Sequence, residues 1–393
     1  MKALTWHGRR DVRVEEVPDP KIEVPTDAVI RVTTTAICGS DLHLYEVLGP
    51  FLSEGDILGH EPMGIVEEVG AEVSHIKAGD RVVIPFNISC GRCWMCERTL
   101  FAQCETTQNR EQGMGASLFG YTKLYGQVAG GQAEYLRVPQ AQFGPIPVPE
   151  GPPDERFVYL SDVLPTAWQA VAFADVPDGG SVVVFGLGPI GQMSARIARH
   201  RGYRAIGVDL VPERLEMARR HGVEVLDVRE HDDIGAALRD ITDGRGPDSA
   251  IDAVGMEAHG SPGAEFAQKL VGLLPDAVAA PLMRNAAVDR LAVINSCIDA
   301  VRRGGTISLS GVYGGAADPM PLLQMFDKGI KLTMGQAHVK RWIDDVLPLV
   351  LDDADPLGVG DLATHRMPLS DAAHGYEIFQ QKRDEAIKVL LSP

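Results

Sequence analysis

The feature that most constrains the fold is a glycine-rich turn, GLGPIG at residues 186–191, which lies between an apolar run and a helical pattern. The run before it, SVVVFG (181–186), has the continuous apolar character of a strand buried on both faces of a parallel sheet. The segment after it, 192–202, carries apolar residues at helical spacing. A G-x-G-x-x-G turn in this context is typical of a dinucleotide-binding site.

Each residue of the turn has a predicted task. Gly186 permits the tight turn, Gly188 lets the backbone approach a pyrophosphate, and Gly191 allows the helix to pack closely on the strand. Pro189 and Ile190 begin the helix, whose free amides and positive dipole end would face the phosphates. We therefore expect these residues to bind the cofactor.

Asp209 ends the next apolar run, about twenty residues after the turn. A carboxylate at this place hydrogen-bonds the ribose hydroxyls and repels the additional phosphate of NADP, so the predicted cofactor is NAD. The alternative is that Asp209 is only a turn residue before Pro212. Arg214 either adds a ribose or phosphate contact or only solvates the following helix.

The chain of 393 residues is long enough for two domains. From about residue 163, strand and helix patterns alternate through 249–255 and 305–312, which predicts an α/β fold with a doubly wound parallel sheet. The preceding residues form short β-branched stretches broken by glycine and proline, which predict a compact β-rich domain. We expect the β-rich domain over residues 1–162, the nucleotide-binding domain over 163–337 and a return to the first domain over 338–393.

Four cysteines, Cys90, Cys93, Cys96 and Cys104, follow a C-x2-C-x2-C-x7-C pattern. Four thiolates at this spacing can close a tetrahedral site, which predicts structural zinc. A zinc knuckle that binds nucleic acid is the competing interpretation. The net charge of −17, from 37 Lys and Arg against 54 Asp and Glu, opposes it because phosphate recognition depends on basic clusters.

The amino-terminal residues include charges and no apolar stretch of signal-peptide length. No run approaches the roughly 20 apolar residues that span a bilayer. We expect a cytoplasmic protein that has neither a membrane nor a nucleic-acid partner, and whose cysteines stay reduced.

A second set of metal-ligand types is dispersed along the chain. It consists of Cys38 in ICGSDLH (37–43), His60 and Glu61 in GHEPMGIVEEVG (59–70), and Asp162 in LSDVLPTAW (160–168). A catalytic zinc needs about three protein ligands and one open position, and Cys38, His60 and one carboxylate satisfy that number. By spacing alone, a purely structural role for His60 is as good an interpretation as a role as a zinc ligand.

These motifs, in this order along essentially the whole chain, resemble the zinc-containing medium-chain alcohol dehydrogenase family. The resemblance implies a GroES-like catalytic domain and a Rossmann coenzyme domain. It also implies hydride transfer between NAD and a small alcohol or aldehyde, by a homodimer or homotetramer. By position, Cys38 and His60 resemble the catalytic zinc ligands, and Glu61 resembles a nearby carboxylate that can approach the metal.

The resemblance also implies a proton relay. Ser40 lies where the family has a hydroxyl that contacts the substrate oxygen, and His43 would exchange the proton with solvent through the cofactor ribose. The alternatives are that Ser40 caps a helix and that His43 is an ordinary surface histidine. By analogy with the family, the backbone near Val312 is expected to recognise the nicotinamide.

Asp162 narrows the resemblance to a subgroup. Many members have a cysteine there, whereas SDVLPTAW is similar to glutathione-independent formaldehyde dehydrogenases and aldehyde dismutases. The long interval between DAVG (252–255) and Gly305 contains an additional segment, 256–290, where the subgroup has an insertion over the adenine end of NAD. The alternative for this segment is a surface embellishment.

The predicted reaction is therefore the oxidation of an alcohol or a hydrated aldehyde, with formaldehyde, without glutathione, as the candidate substrate. One alternative is a zinc dehydrogenase of a larger alcohol, a polyol or an amino alcohol. A zinc-free quinone reductase relative is disfavoured by the ligand set. A non-catalytic protein that binds zinc and NAD would not require Ser40, His43 and an open zinc site together.

Overall fold

A computed structural model describes residues 1–255, 291–313 and 320–393. The chain divides into two compact units: unit 1 comprises Met1–Pro165 and Ala337–Pro393, and unit 2 comprises Thr166–Gln336. The sequence placed the corresponding boundaries after residues 162 and 337. The segment 256–290, in which the sequence predicts an insertion, lies outside the described residues.

The strands of the described residues, in chain order, are β1 (Lys2–Gly8), β2 (Asp11–Glu16), β3 (Ala28–Ile37), β4 (Met63–Val69), β5 (Arg81–Val83), β6 (Tyr135–Val138), β7 (Ile146–Pro147), β8 (Ser181–Phe185), β9 (Arg204–Asp209), β10 (Glu224–Asp227), β11 (Ser249–Asp252), β12 (Thr306–Leu309), β13 (Lys331–Met334), β14 (His365–Pro368) and β15 (Val389–Ser392).

The α-helices of the same residues are α1 (Gly39–Glu46), α2 (Asp154–Phe157), α3 (Val163–Ala174), α4 (Pro189–His200), α5 (Pro212–Arg220), α6 (Ile234–Asp240), α7 (Ala292–Ala300), α8 (Leu322–Lys328), α9 (Ile343–Leu351) and α10 (Ala372–Gln381). Among them, none combines the length and the apolar character that crossing a membrane requires.

Unit 2 is built on a six-stranded sheet in the order β10-β9-β8-β11-β12-β13. Every neighbouring pair in it is parallel. Val182, Val183 and Val184 of β8 are fully buried, as expected of a strand covered on both faces. The strand order reverses at β8, and ligands of such sheets bind beyond the carboxyl ends of the strands at that point. The predicted doubly wound fold is confirmed.

Unit 1 contains a seven-stranded sheet in the order β14-β15-β3-β4-β5-β7, with β6 also pairing with β3. Its apolar core includes Ile30, Val32, Val82 and Leu136, which belong to three different strands, β3, β5 and β6. The predicted β-rich domain is confirmed. β15 runs antiparallel to β3, so the end of the chain lies beside the residues that precede Cys38.

Candidate active site and metal centres

The four sequence-predicted cysteines form one cluster. Their sulfur atoms lie within 4.8 Å of one another, and all four thiols are free. Sγ of Cys93 accepts a hydrogen bond from the Glu105 amide (3.3 Å), and Sγ of Cys104 accepts one from the Cys90 amide (3.4 Å). Burial opposes ionisation, but amide donors including Cys96 lower the pKa of Cys93 to about 6. The cluster fits a closed tetrathiolate zinc site.

The cysteine lobe, residues 90–104, packs on the segment that returns to unit 1. The Ala102 amide donates to Nδ1 of His338 at 3.1 Å. Nζ of Lys340 donates to the Phe143 carbonyl and lies 4.3 Å from the centroid of that ring. The lobe and Phe143 therefore fix the course of residues 338–340.

The dispersed set of ligand types also converges. Ligand atoms of Cys38, His60, Glu61 and Asp162 lie within 4.8 Å of one another, and all four residues are buried. Oδ2 of Asp162 is 3.6 Å from Cys38 Sγ and 3.5 Å from His60 Nε2. Zinc bonds of about 2.0–2.3 Å at tetrahedral angles place ligand atoms at such separations. The predicted triad therefore fits one catalytic zinc.

Local geometry explains how these ligands meet. Cys38 follows β3 and is the N-cap of α1, while Asp162 directly precedes α3. Gly59 adopts φ +97°, and a Cβ there would lie 2.4 Å from the Gln132 side chain. Only glycine tolerates both that dihedral and that approach, so Gly59 presents His60 to the cluster.

Glu61 is paired with a residue that the sequence reasoning missed. Nζ of Lys388 donates to Glu61 Oε2 at 2.5 Å and to the Ile37 carbonyl at 3.1 Å, and both charged side chains are fully buried. Burial raises the pKa of Glu61, although the ammonium opposes that change. Among the described residues, Glu61 Oε1 has no hydrogen-bond partner, which leaves it able to approach a cation. The sequence signal for this pair was Lys388 itself, a single lysine among apolar residues directly before β15.

Asp41, also missed, orients the histidine ligand. Its Oδ1 lies 3.0 Å from Nδ1 of His60, and its Oδ2 accepts a hydrogen bond from the Cys38 amide at 3.0 Å. Against the effect of burial, Asp41 raises the pKa of His60. Gln132 donates to Asp41 at 3.4 Å and accepts from the phenol of Tyr376 at 2.9 Å. Asp41 lies three residues after the N-cap residue Cys38, as the acidic residue of a capping box does, and this spacing was the sequence signal for its role.

The predicted relay residues lie on α1. Ser40 is inside the helix and Cys38 is the N-cap, so the capping alternative for Ser40 is wrong. Its Oγ lies 3.3 Å from His60 Nε2. His43 is buried, with 7% exposure, and is therefore not the surface histidine of the alternative interpretation. The transfer of a proton between these two residues stays a prediction.

Two aromatic rings that the sequence reasoning missed flank His60. The rings of Phe86 and Tyr121 each lie 6.3 Å from the imidazole, centroid to centroid, in edge-on orientations. Nothing in their local sequence distinguishes them from core aromatics. They limit the space beside the ligand nitrogen and so contribute an apolar wall.

The glycine-rich turn joins β8 to α4 as the sequence predicts. Gly186 adopts φ +83°, and a Cβ at Gly191 would lie 1.7 Å from the Gly186 carbonyl oxygen. Gly188 is the N-cap of α4 and Pro189 is its first residue. Within the part of the chain that the structure describes, a Cβ at Gly188 would meet only the Arg214 guanidinium, at 3.9 Å, so these residues leave the centre of the turn open for a ligand.

Asp209 lies at the end of β9 beside this turn. Its Oδ2 accepts from the Leu187 amide at 2.6 Å, and its Oδ1 accepts from the amides of Leu210 and Val211 at 2.7 and 2.8 Å. A carboxylate has about four acceptor positions, so three bonds leave capacity for a ribose hydroxyl. Arg214 lies 3.8 Å from Asp209 Oδ2. Ribose binding by these two residues stays a prediction.

Val312 follows β12 and is 44% exposed. It lies on the same edge of the sheet as the glycine-rich turn, because both come after the carboxyl ends of parallel strands. Its predicted contact with the nicotinamide is not tested by these observations.

Two family models match the chain. The alcohol dehydrogenase GroES-like domain matches residues 24–148, and the zinc-binding dehydrogenase model matches residues 189–263. The first match includes Cys38, His60 and the cysteine lobe. The second begins at Pro189, within the glycine-rich turn.

Individual proteins resemble the chain over its whole length. A zinc-type alcohol dehydrogenase-like protein of Bacillus subtilis (strain 168), AdhB, is 42% identical, with 100% of both chains covered. The formaldehyde dismutase of Pseudomonas putida is 32% identical over 97% of this chain and 95% of its own. The solved structure of the alcohol dehydrogenase from Thermus sp. ATN1 has a TM-score of 0.82 and 32% identity, covering 100% and 99% of the two chains.

The similarity to full-length relatives thus agrees with what the structure shows: two domain folds, two clusters of zinc ligands and an open nucleotide-binding turn. The four-cysteine cluster fits structural zinc, the Cys38, His60, Glu61 and Asp162 cluster fits catalytic zinc, and the relatives belong to an NAD-dependent group of enzymes. The chain belongs to the zinc-containing medium-chain alcohol dehydrogenase family and is an oxidoreductase.

Proposed function

We propose that the protein oxidises a hydrated aldehyde, with formaldehyde as the first candidate, to the acid without glutathione. The carrying observation is Asp162, a buried carboxylate within 3.6 Å of Cys38 Sγ and 3.5 Å of His60 Nε2. A carboxylate is a harder donor than the thiolate found in many relatives, so the metal keeps more of its Lewis acidity. The 32% identity to a formaldehyde dismutase supports the same substrate class.

The reaction balances as a two-electron oxidation. The hydrate loses one hydride and one proton to give formic acid, which then ionises, so that formaldehyde hydrate and NAD⁺ give formate, NADH and two protons at neutral pH. Cys38, His60 and Asp162 would hold a zinc ion, which would supply Lewis acidity to a substrate oxygen, and the glycine-rich turn would hold NAD, which would supply the hydride acceptor.

The side chains of the site divide the remaining tasks. Ser40 Oγ, 3.3 Å from His60 Nε2, is placed to take the proton of a substrate hydroxyl, and His43 passes it towards solvent. Asp41 holds the imidazole of His60 in its ligand orientation. Lys388 offsets the charge of Glu61, while Phe86 and Tyr121 exclude water beside the imidazole.

The test is a product balance with purified protein, formaldehyde and NAD in the absence of glutathione. Formate with an equal amount of NADH indicates simple oxidation. Formate with an equal amount of methanol indicates dismutation, in which NADH reduces a second aldehyde. Absence of formate, from protein shown to contain zinc and NAD, would overturn the proposal and favour a larger alcohol, a polyol or an amino alcohol.

We also propose that the protein forms a homodimer or homotetramer. Leu322, Leu323 and Phe326 of α8 are 66%, 82% and 86% exposed, and Met334 of the edge strand β13 is 58% exposed. Large apolar side chains grouped on one helix beside an edge strand are typical of an interface. A second copy of the chain would cover them by a symmetric contact.

A further inference from the structure

Asp252, at the end of β11, is a fully buried carboxylate that the proposed reaction does not use. Its Oδ1 accepts hydrogen bonds from the amides of Val254 (2.9 Å) and Gly255 (3.0 Å). Its Oδ2 accepts a hydrogen bond from the phenol of Tyr313 at 2.5 Å. Burial raises the pKa of this carboxyl, whereas the phenol and the two amides favour its ionised form.

The backbone of Asp252 makes a second connection between the same parts of the chain. Its carbonyl oxygen accepts hydrogen bonds from the amides of Ser310 (2.9 Å) and Gly311 (2.8 Å). One residue therefore ties together the β11 loop, residues 253–255, and the β12 loop, residues 310–313. Both loops follow the carboxyl ends of neighbouring parallel strands.

The β11 loop also touches the glycine-rich turn. A Cβ at Gly186 would lie 2.3 Å from Cγ2 of Val254 and 3.3 Å from the carbonyl group of Ala253, so the β11 loop packs directly against the backbone of the turn. On the other side, a Cβ at Gly255 would lie 2.5 Å from the carbonyl oxygen of Val312. The glycine-rich turn, the β11 loop and the β12 loop thus form a continuous, tightly packed edge.

We propose that Asp252 and Tyr313 are a positioning pair that prepares this edge for NAD, so that breaking their hydrogen bond weakens cofactor binding. The pair acts through the backbones of the β11 and β12 loops. A buried carboxylate that loses a donor is costly, so the loops relax to conformations that satisfy it otherwise. NAD affinity then falls in proportion to the fraction of molecules that keep the competent arrangement.

The first experiment is NADH binding to Tyr313→Phe, which removes only the hydroxyl. We expect a dissociation constant about 10-fold higher, as the loss of one hydrogen bond to a charged group implies, with unchanged zinc content and only a small fall in melting temperature. The matched control is Tyr203→Phe in the same unit, whose phenol forms no hydrogen bond with the described residues. Binding by Tyr313→Phe within twofold of the wild type would overturn the proposal.

A double-variant cycle separates positioning from a general loss of structure. The Asp252–Tyr313 bond can be broken only once, so Asp252→Ala, which leaves the phenol no side-chain partner at this position, combined with Tyr313→Phe should bind NADH no more weakly than Asp252→Ala alone. Losses that multiply would contradict the pairing. This result does not depend on which alcohol or aldehyde is the substrate, because no substrate is present.

Hydrogen exchange of the wild type keeps the proposal testable if the variants do not fold. The amides of Val254, Gly255, Ser310 and Gly311 should exchange slowly in protein stripped of nucleotide, because the arrangement exists before NAD binds. Fast exchange that becomes slow only when NADH is added would overturn the proposal.

Discussion

At the residue scale, the cluster of Cys38, His60, Glu61 and Asp162 has two charged neighbours, the carboxylate of Asp41 and the buried ammonium of Lys388. Asp41 and Lys388 do not supply the predicted zinc ligands, but each contacts a residue of the cluster: Asp41 contacts His60 and Lys388 contacts Glu61. Removing a partner leaves a buried group unsatisfied, which is why effects of substitution should be large here and small on the surface.

Asp162→Cys should shift substrate preference. The thiolate keeps a zinc ligand but softens the metal, so kcat/KM should fall about 10-fold for an aldehyde hydrate and change little for a simple alcohol. Parallel kinetics with formaldehyde and ethanol measure the ratio, and zinc content controls for loss of metal. An unchanged ratio would remove Asp162 as the basis of the preference.

Lys388→Met should destabilise the protein strongly. It leaves the fully buried Glu61 without its counter-charge, a change that costs about 3–5 kcal/mol. For a unit of this size we expect the melting temperature to fall by roughly 6–20 °C. Adding Glu61→Gln should restore part of the loss. A double variant that melts even lower than Lys388→Met would contradict the pairing.

At the scale of elements, the cysteine lobe and the returning segment form one structural group. Nδ1 of His338 must be unprotonated to accept the Ala102 amide, and burial, with Arg341 nearby, lowers the pKa of His338 to about 4. The ordinary value is 6.5. The folded state therefore favours the neutral imidazole, and its contribution to stability is complete above about pH 6.5 and is lost as the pH falls towards 4.

His338→Gln should make the free energy of unfolding depend less on pH between about pH 6.5 and 4. The side-chain oxygen of glutamine can still accept the hydrogen bond from the Ala102 amide, but it does not titrate. The wild type should lose up to about 3 kcal/mol of its free energy of unfolding between pH 6.5 and 4 through His338, and the variant should not show this loss. Urea unfolding at a series of pH values measures it, with the exposed His374→Gln as control. Protonation of the cysteines affects the wild type and both variants equally. Parallel curves of unfolding free energy against pH for all three proteins would therefore exclude the role of His338.

Elements and short motifs were the parts that sequence could predict. The glycine-rich turn, the four cysteines and the Cys38 segment each combine a local pattern with a chemical function within a few residues, and the structure forms each of them as expected. The contact between Lys388 and Glu61 joins residues 327 positions apart, and that between Asp252 and Tyr313 joins residues 61 apart. Local pattern contains no information on such pairs, because strand order decides them.

At the scale of the whole molecule, each unit has its own core and its own candidate site. Unit 1 holds both zinc clusters and unit 2 holds the nucleotide-binding edge. The proposed assembly adds a third feature, the exposed apolar face of α8 and β13 on unit 2.

Phe326→Asp should weaken that assembly. Phe326 is 86% exposed in the single chain, and a charge placed inside a self-complementary contact appears twice in a dimer. Light scattering coupled to gel filtration should show a smaller species than the wild type. Val228→Asp, at a less exposed apolar position of the same unit, is the control and should leave the mass unchanged. A wild-type protein that is monomeric at micromolar concentration would contradict the assembly itself.

The most direct test of the account is the zinc content and activity of Asp162→Ala. We predict two zinc ions per wild-type chain and one per variant chain, retained by the four cysteines, with loss of hydride transfer to NAD. Two zinc ions in the variant, or undiminished NADH formation, would show that Asp162 does not complete the catalytic metal site.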